Sequence, residues 1–253
     1  MTDKIHDLGA GFWNIEGTFR IGGILDVGTQ CSLVRLESGK FIFLDSYKMS
    51  GEARDKVMVL TNNGADVEAV LNVHPFHTTH CAEMAKDFPQ ATFYGSSRHP
   101  TQVPEVQWSE DLVESAAVAQ RYPELEFSLP QGIYYISPND KIHAGSLLVY
   151  HPASRSIHVD DTFVSPPSPL LNIKLLKSVI PELILHPTTK QALTDAPNAG
   201  QQYCDWATEL AQDWQETVNF CAAHSGLVVF APGEFKAALL QAIDKARPKL
   251  EKA

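Results

Sequence analysis

Val67-Glu-Ala-Val-Leu-Asn-Val-His74-Pro-Phe-His77-Thr-Thr79-His80 reads as an apolar strand that runs straight into a histidine-rich loop. Val67, Ala69, Val70, Leu71 and Val73 form a nearly continuous apolar run, the pattern of a strand buried on both faces. Pro75 disfavours helix just before it and stiffens the exit from the strand. Strand ends in α/β proteins are common places for ligands and catalysis. Neutral imidazole is the commonest metal ligand. A single histidine is more often a surface residue or a satisfied core residue, but His74, His77 and His80 share one seven-residue stretch and can point at one spot.

Upstream, Phe12 to Arg20, Cys31 to Leu36 and Phe41 to Leu44 are short runs of aromatic and branched residues, punctuated by glycines, and predict strands. Glu37-Ser-Gly-Lys40 predicts a tight hairpin turn. A helix fits Glu52 to Asn62, and a second fits His80 to Asp87, ahead of Pro89. Thr92 to Tyr94 is a further short strand. His99 to Pro130 carries little periodicity. Strands return at Gly132 to Ser137, Ser146 to His151 and Ser156 to Val159. A proline-rich loop, Ser165 to Pro169, leads into an apolar stretch, Leu170 to Ile180, that suits a short helix; Ser165 to Ile180 together read as an ordinary packed connection or subunit contact, or as a lid or substrate wall. Two amphipathic helices close the chain. Tyr203, Trp206, Leu210, Trp214 and Val218 share a face over Gln202 to Val218, and Phe235, Leu239, Ala242, Ile243 and Ala246 do so over Glu234 to Ala246. Between them a short strand ends at His224-Ser-Gly226. The order predicts mixed sheets with helices packed outside them, within one domain over residues 1–253.

The loop supplies too few groups to complete a metal site, so partners are expected downstream. His143-Ala-Gly-Ser146 precedes an apolar strand, His158-Val-Asp160-Asp161-Thr162 follows the next, and His224 follows a third. With these residues in view, the chain resembles the metallo-β-lactamase-fold hydrolase superfamily. The stretch Ser146-Leu-Leu-Val-Tyr-His-Pro-Ala-Ser-Arg-Ser-Ile-His-Val-Asp-Asp161 is the most specific part of the likeness, which spans most of residues 12–226. The resemblance implies an α/β fold, a four-layer αβ/βα sandwich of two mixed β-sheets flanked by helices, with metal at one sheet edge. It implies metal-ligating roles for His74, His77, His80, His143, Asp161 and His224. By the same resemblance Asp161, preferred over Asp160, would be the bridging carboxylate and the catalytic residue. His77, His143 and His74 would form one metal position, and Asp161, His80 and His224 the other.

The loop departs from the family's His-x-His-x-Asp-His pattern. His74 lies one residue too far upstream, and Thr79 stands where the aspartate belongs. A neutral hydroxyl is a poor ligand for a divalent cation, so one ion is as well supported as two. The implied cofactor is a divalent metal, with zinc first and iron or manganese compatible with the same ligand types. Zinc held by such residues lowers the pKa of bound water to about 7, and the resulting hydroxide attacks a small ester, thioester, lactone or amide. The rival readings are a non-catalytic binding protein on the same fold, an iron-dependent redox protein, and a cysteine hydrolase using Cys81 beside His80. His99 and His186, each before a proline, read as loop residues, His151 as part of a hairpin turn and His158 as structural.

The formal net charge of −10 argues against a phosphate-tracking nucleic-acid binder. With 44% hydrophobic and 20% charged residues the composition is that of an ordinary globular chain. No basic segment followed by an apolar run opens the sequence, and no stretch reaches the ~18–20 apolar residues that span a bilayer. Cys31, Cys81, Cys204 and Cys221 are widely scattered, which fits reduced thiols. The expectation is a cytoplasmic protein with a small-molecule substrate and no nucleic-acid or membrane partner. Oligomeric state is not readable.

Overall fold

The computed structural model describes residues 3–21, 25–165 and 183–252. They fall into two compact units: Met1–Phe127 with His151–Ser154, and Ser128–Tyr150 with Arg155–Ala253.

In the first unit the strands are β1 (Lys4–Asp7), β2 (Phe12–Gly17), β3 (Arg20–Ile21), β4 (Leu25–Asp26), β5 (Thr29–Arg35), β6 (Phe41–Leu44), β7 (Val67–Leu71) and β8 (Thr92–Tyr94). β3 and β4 pair as a small ribbon, and the other six form a sheet in the order β1-β2-β5-β6-β7-β8. Pairing is antiparallel from β1 to β6 and parallel from β6 to β8. The parallel pairs need crossovers, and helices α1 (Gly51–Leu60) and α2 (Cys81–Asp87) supply them. Trp13, Ile15, Leu33, Phe43 and Val70 of the sheet pack with Val57 of α1, Met84 of α2 and Phe88. Asn14, Gln30 and Ser32 alternate with this set along β2 and β5, and Asn14 Nδ2 donates to Gln30 Oε1 at 2.8 Å. The little-patterned stretch from His99 holds two short helices, α3 (His99–Gln102) and α4 (Ala116–Arg121).

The other sheet is built from β9 (Glu126–Ser128), β10 (Leu148–His151), β11 (Ser156–Val159), β14 (Asn219–Ala222) and β15 (Gly226–Val229), in the order β15-β14-β11-β10-β9. It too is mixed: β14 runs parallel to β11 and antiparallel to β15. A separate ribbon pairs β12 (Phe163–Val164) with β13 (Ile184–Leu185). Helices α5 (Ala199–Asp213) and α6 (Glu234–Leu250) bring Tyr203, Trp206, Leu210, Phe235, Leu239 and Ile243 into one apolar core with Val159 and Phe220. Trp206 stacks on Phe163 with ring centroids 5.8 Å apart, and Trp214 stacks on Tyr150 at 5.3 Å. All four cysteines are buried, and none is in a disulfide. No described helix is long and apolar enough to cross a membrane.

Two expectations need correction. Gly132 to Ser137 is not a strand. It makes one isolated bridge, Ile133 to Leu193, and Tyr134 N–H donates to Ala192 O at 2.8 Å. Gly132 has φ +74, outside the β region, and a Cβ there would stand 2.1 Å from Ala199 O. The backbone is thus held against the start of α5. That helix also begins at Ala199 and stops at Asp213, so Val218 belongs to the approach to β14, its N–H bonded to Arg155 O at 2.9 Å. The lid reading of residues 166–180 lies outside the described residues.

Gly132 gives a stability test. Gly132→Ala adds a left-handed penalty of ~1–2 kcal/mol and a backbone clash. Gly39→Ala adds only the former, since nothing lies within 4 Å of a Cβ there. Urea unfolding is expected to show Gly132→Ala losing clearly more stability than Gly39→Ala, and equal losses would refute the packing described.

Candidate functional site

In the first unit the candidate residues follow the end of β7. Asp45, just after β6, has φ +62 and is buried. A non-glycine residue in that region persists only when its surroundings over-determine it, at a cost of order 1–3 kcal/mol. Here Asp45 N–H donates to Leu71 O at 2.8 Å, and Asp45 Oδ1 accepts from Val73 N–H at 2.8 Å. The carboxylate therefore pins the backbone at the entrance to the histidine loop. Asn72 acts as a buried hub beneath it. Its Oδ1 accepts from Ser46 Oγ at 2.7 Å and from Cys81 Sγ at 3.4 Å, while its Nδ2 donates to Tyr94 O at 3.1 Å. This ties the end of β6, the start of α2 and β8 to one side chain. Cys81 is thereby a structural thiol, and burial pushes its pKa up to about 12.

His74 and His77 come together. Their rings stack with centroids 3.9 Å apart and planes 21° from parallel. His74 is fully buried, and its Nδ1 accepts from Phe76 N–H at 3.1 Å. Arg98 lies over the Phe76 ring at 4.5 Å. His80 turns to a different neighbour, the edge of Tyr47, at 5.1 Å between centroids. Burial lowers its pKa, with the Lys48 charge adding to the effect. Thr79 is exposed.

In the second unit Asp161 follows β11 and is fully buried. His143 Nδ1 lies 2.8 Å from Asp161 Oδ2, and His224 Nε2 lies 3.4 Å from Asp161 Oδ1. A carboxylate accepts only, so His143 donates its Nδ1–H to Asp161. Local hydrogen bonds set this geometry. Ser146 N–H donates to Thr162 Oγ1 at 3.0 Å and joins the His143 loop to the residue after Asp161. Ala223 N–H donates to Val159 O at 3.2 Å and brings the His224 loop alongside. His158 is buried, its Nε2 4.0 Å from Asp160 Oδ1. His151 bonds Ser154 through Nδ1 at 2.8 Å and stacks on Phe12 at 5.6 Å, within the first unit.

Two histidines read as plain loop residues have more to do. His186 follows β13, whose partner β12 starts just past Asp161, and its ring lies 5.8 Å from that of His143. Its Nδ1 accepts from Thr188 N–H at 3.3 Å, so the neutral ring carries its proton on Nε2. No local motif marks it, because a two-residue ribbon delivers it. His99 is fully buried against Trp108, with centroids 4.9 Å apart. Its Nδ1 accepts from Ser96 N–H at 3.0 Å, and Nε2 has no hydrogen-bond partner among the described residues. A Cβ on Gly95 would sit 2.7 Å from its ring, so the glycine admits the imidazole.

His99 makes stability pH-dependent. Burial first, and the neighbouring His74 second, lower its pKa from 6.5 to about 4. The unfolded chain takes up a proton below 6.5 that the folded chain refuses, so the contribution is whole above pH 6.5 and is lost as pH falls towards 4. The loss is of order 3 kcal/mol. Urea titrations at several pH values are expected to show His99→Gln flattening the slope in that window. An unchanged slope would mean His99 is not the source.

No protein-family model matches the chain, and no curated protein matches it in sequence. Solved structures do resemble it. The metallo-β-lactamase FIM-1 from Pseudomonas aeruginosa, in its mono-zinc form, superposes with a TM-score of 0.61 at 12% identity, covering 98% of this chain and 97% of that one. The Erythrobacter litoralis metallo-β-lactamase, with β-mercaptoethanol in its active site, gives 0.63 at 11% identity over 96% of each chain. The Hirschia baltica metallo-β-lactamase gives 0.59 at 9% identity, covering 96% and 98%. Likeness over nearly the whole length, joined to the two mixed sheets with their helices, establishes that this chain has the metallo-β-lactamase fold.

Proposed function

We propose that the chain is a metal-dependent hydrolase of a small ester, thioester, lactone or amide. In this reading His143, Asp161 and His224 of the second unit are the groups that hold a divalent cation, zinc first among the candidates. The observation that carries it is the buried Asp161 carboxylate with two imidazoles gathered on it, at 2.8 and 3.4 Å. A buried carboxylate is costly unless it is paired or coordinates a metal. The donor set of imidazole and carboxylate, without thiolate, suits zinc, iron or manganese. The cysteines are buried, and Cys81 is committed to Asn72. The fold's solved members include a mono-zinc form, which supports a site needing only one ion.

When bound, such a cation supplies Lewis acidity and an acidified water for attack on an acyl carbon. The protein's own part is orientation. The Ser146–Thr162 bonds hold the His143 loop against the residue that follows Asp161. His186, with its proton on Nε2, offers a donor beside His143 for a polarised substrate oxygen. Thr79 in place of a carboxylate favours a one-ion centre.

Two measurements test this. Protein purified without tag or chelator is expected to carry about one equivalent of zinc, manganese or iron, and the His143→Ala, His224→Ala double variant to lose it. On a panel of small esters and thioesters, the metal-loaded chain is expected to turn over at least one class, with kcat/KM falling more than about 100-fold in the double variant. Metal bound without turnover would favour a binding protein on the same fold, and no metal after reconstitution would sink the reading.

A further inference from the structure

We infer that the cavity between β13 and α6 recognises an aliphatic chain ending in a carboxylate, the non-reacting part of the acyl substrate. That role rests on the hydrolase reading above, whereas binding as such stands on the cavity alone.

The cavity has a volume of about 390 Å³ and is lined wholly by residues of the second unit. That size falls in the range of small-molecule sites. Its walls are apolar. Leu183, Ala242 and Leu250 are buried members of the core, and Leu185 and Ala246 pack against them. Ile184 also lines it, and is one of four exposed large apolar side chains among the described residues. On α6, Ala242, Lys245, Ala246 and Lys249 stand at i, i+3, i+4 and i+7 and so share one face. The two alanines leave space, and the lysine stems can cover apolar surface while their ammonium groups stay in water.

Charge says what fits. Lys190, from the loop after β13, is the third cation lining the cavity, and no aspartate or glutamate lines it. None of the three lysines is ion-paired with a described residue, whereas Arg247, on the same helix, is held by Asp205 and Glu251. Like charges four apart on a helix repel. The helix dipole favours a cation in the last turn, which accounts for Lys249 but not for Lys190 or Lys245. The cluster also runs against a chain with 30 acidic and 20 basic residues. Two larger cavities do carry carboxylates: Asp7, Glu37 and Glu124 line one in the first unit, and Glu251 lines one at the start of α5. An apolar trough edged by cations and free of carboxylates complements an amphiphile with one anionic end. No arginine lines it, so the planar fork suited to phosphate is missing. A carboxylate is the anion that acyl compounds themselves supply. His186 lines the same cavity, and its ring lies 5.8 Å from that of His143. A chain held here therefore reaches the His143–Asp161 pair by way of His186.

Binding is tested first, by calorimetric titration of the full chain with octanoate, octan-1-ol and octyltrimethylammonium. Octanoate is expected to bind one to one and more tightly than the other two. The Lys245→Gln, Lys249→Gln double variant is expected to weaken it by about five- to tenfold, and Lys245→Arg, Lys249→Arg to stay within about twofold, with circular dichroism confirming that both are folded. Octanoate that does not bind, or that binds the glutamine variant as tightly as the parent, would overturn the site. Recognition is tested on the metal-loaded chain. The mono-p-nitrophenyl ester of octanedioate is expected to exceed p-nitrophenyl octanoate in kcat/KM by about fivefold, and this ratio to fall to about one in the glutamine variant. A ratio of one in the parent would overturn the recognition role while leaving the hydrolase standing. Turnover of neither ester would overturn the hydrolase reading and the substrate role with it, and the octanoate titration would still decide the site.

Discussion

A carboxylate with no exposed surface sits at the end of β11, and the second unit is arranged around satisfying it. Asp161 draws the His143 loop from before β10 and the His224 loop from after β14 onto one group. Left without partners, a buried charge of this kind costs several kcal/mol. The parallel pairing of β11 with β14 brings the His224 loop to Asp161, because it places the end of each strand at the same edge, and the Ser146–Thr162 bond brings the His143 loop. The β12–β13 ribbon then returns the chain to the same edge and delivers His186.

The first unit solves a different problem, that of holding an irregular loop at the end of a buried strand. Loop backbone carries polar groups that the sheet no longer satisfies. Asp45 takes the Val73 amide, His74 takes the Phe76 amide, and Asn72 ties three elements together beneath. The strained φ of Asp45 is the local cost of that arrangement. The outcome is a loop whose rings are held by backbone bonds and stacking, as a binding constellation needs to be held.

Much of this was legible in the sequence, for identifiable reasons. The apolar run before His74 and the glycine-punctuated runs of aromatic and branched residues from Phe12 and from Cys31 marked strands, and Asp161 announced itself by following a short strand in a hairpin. The helices α5 and α6 were visible from their apolar faces. What escaped were features made by tertiary approach. Gly132 looked like the start of a strand but is the point where a loop meets α5. His99 and His186 carry no local signal, since a buried pocket beside Trp108 and a two-residue ribbon position them. His74 and His77 looked equivalent by residue type. The turn through Pro75 sets them apart, because it closes with the Phe76 amide on His74 Nδ1.

The most direct test of the whole account is zinc K-edge X-ray absorption on the reconstituted, untagged chain. The account predicts a first shell of nitrogen and oxygen at about 2.0–2.1 Å, with the multiple scattering of two or three imidazoles and no sulfur. A sulfur shell, or a hydrated ion with no imidazole signature, would contradict it.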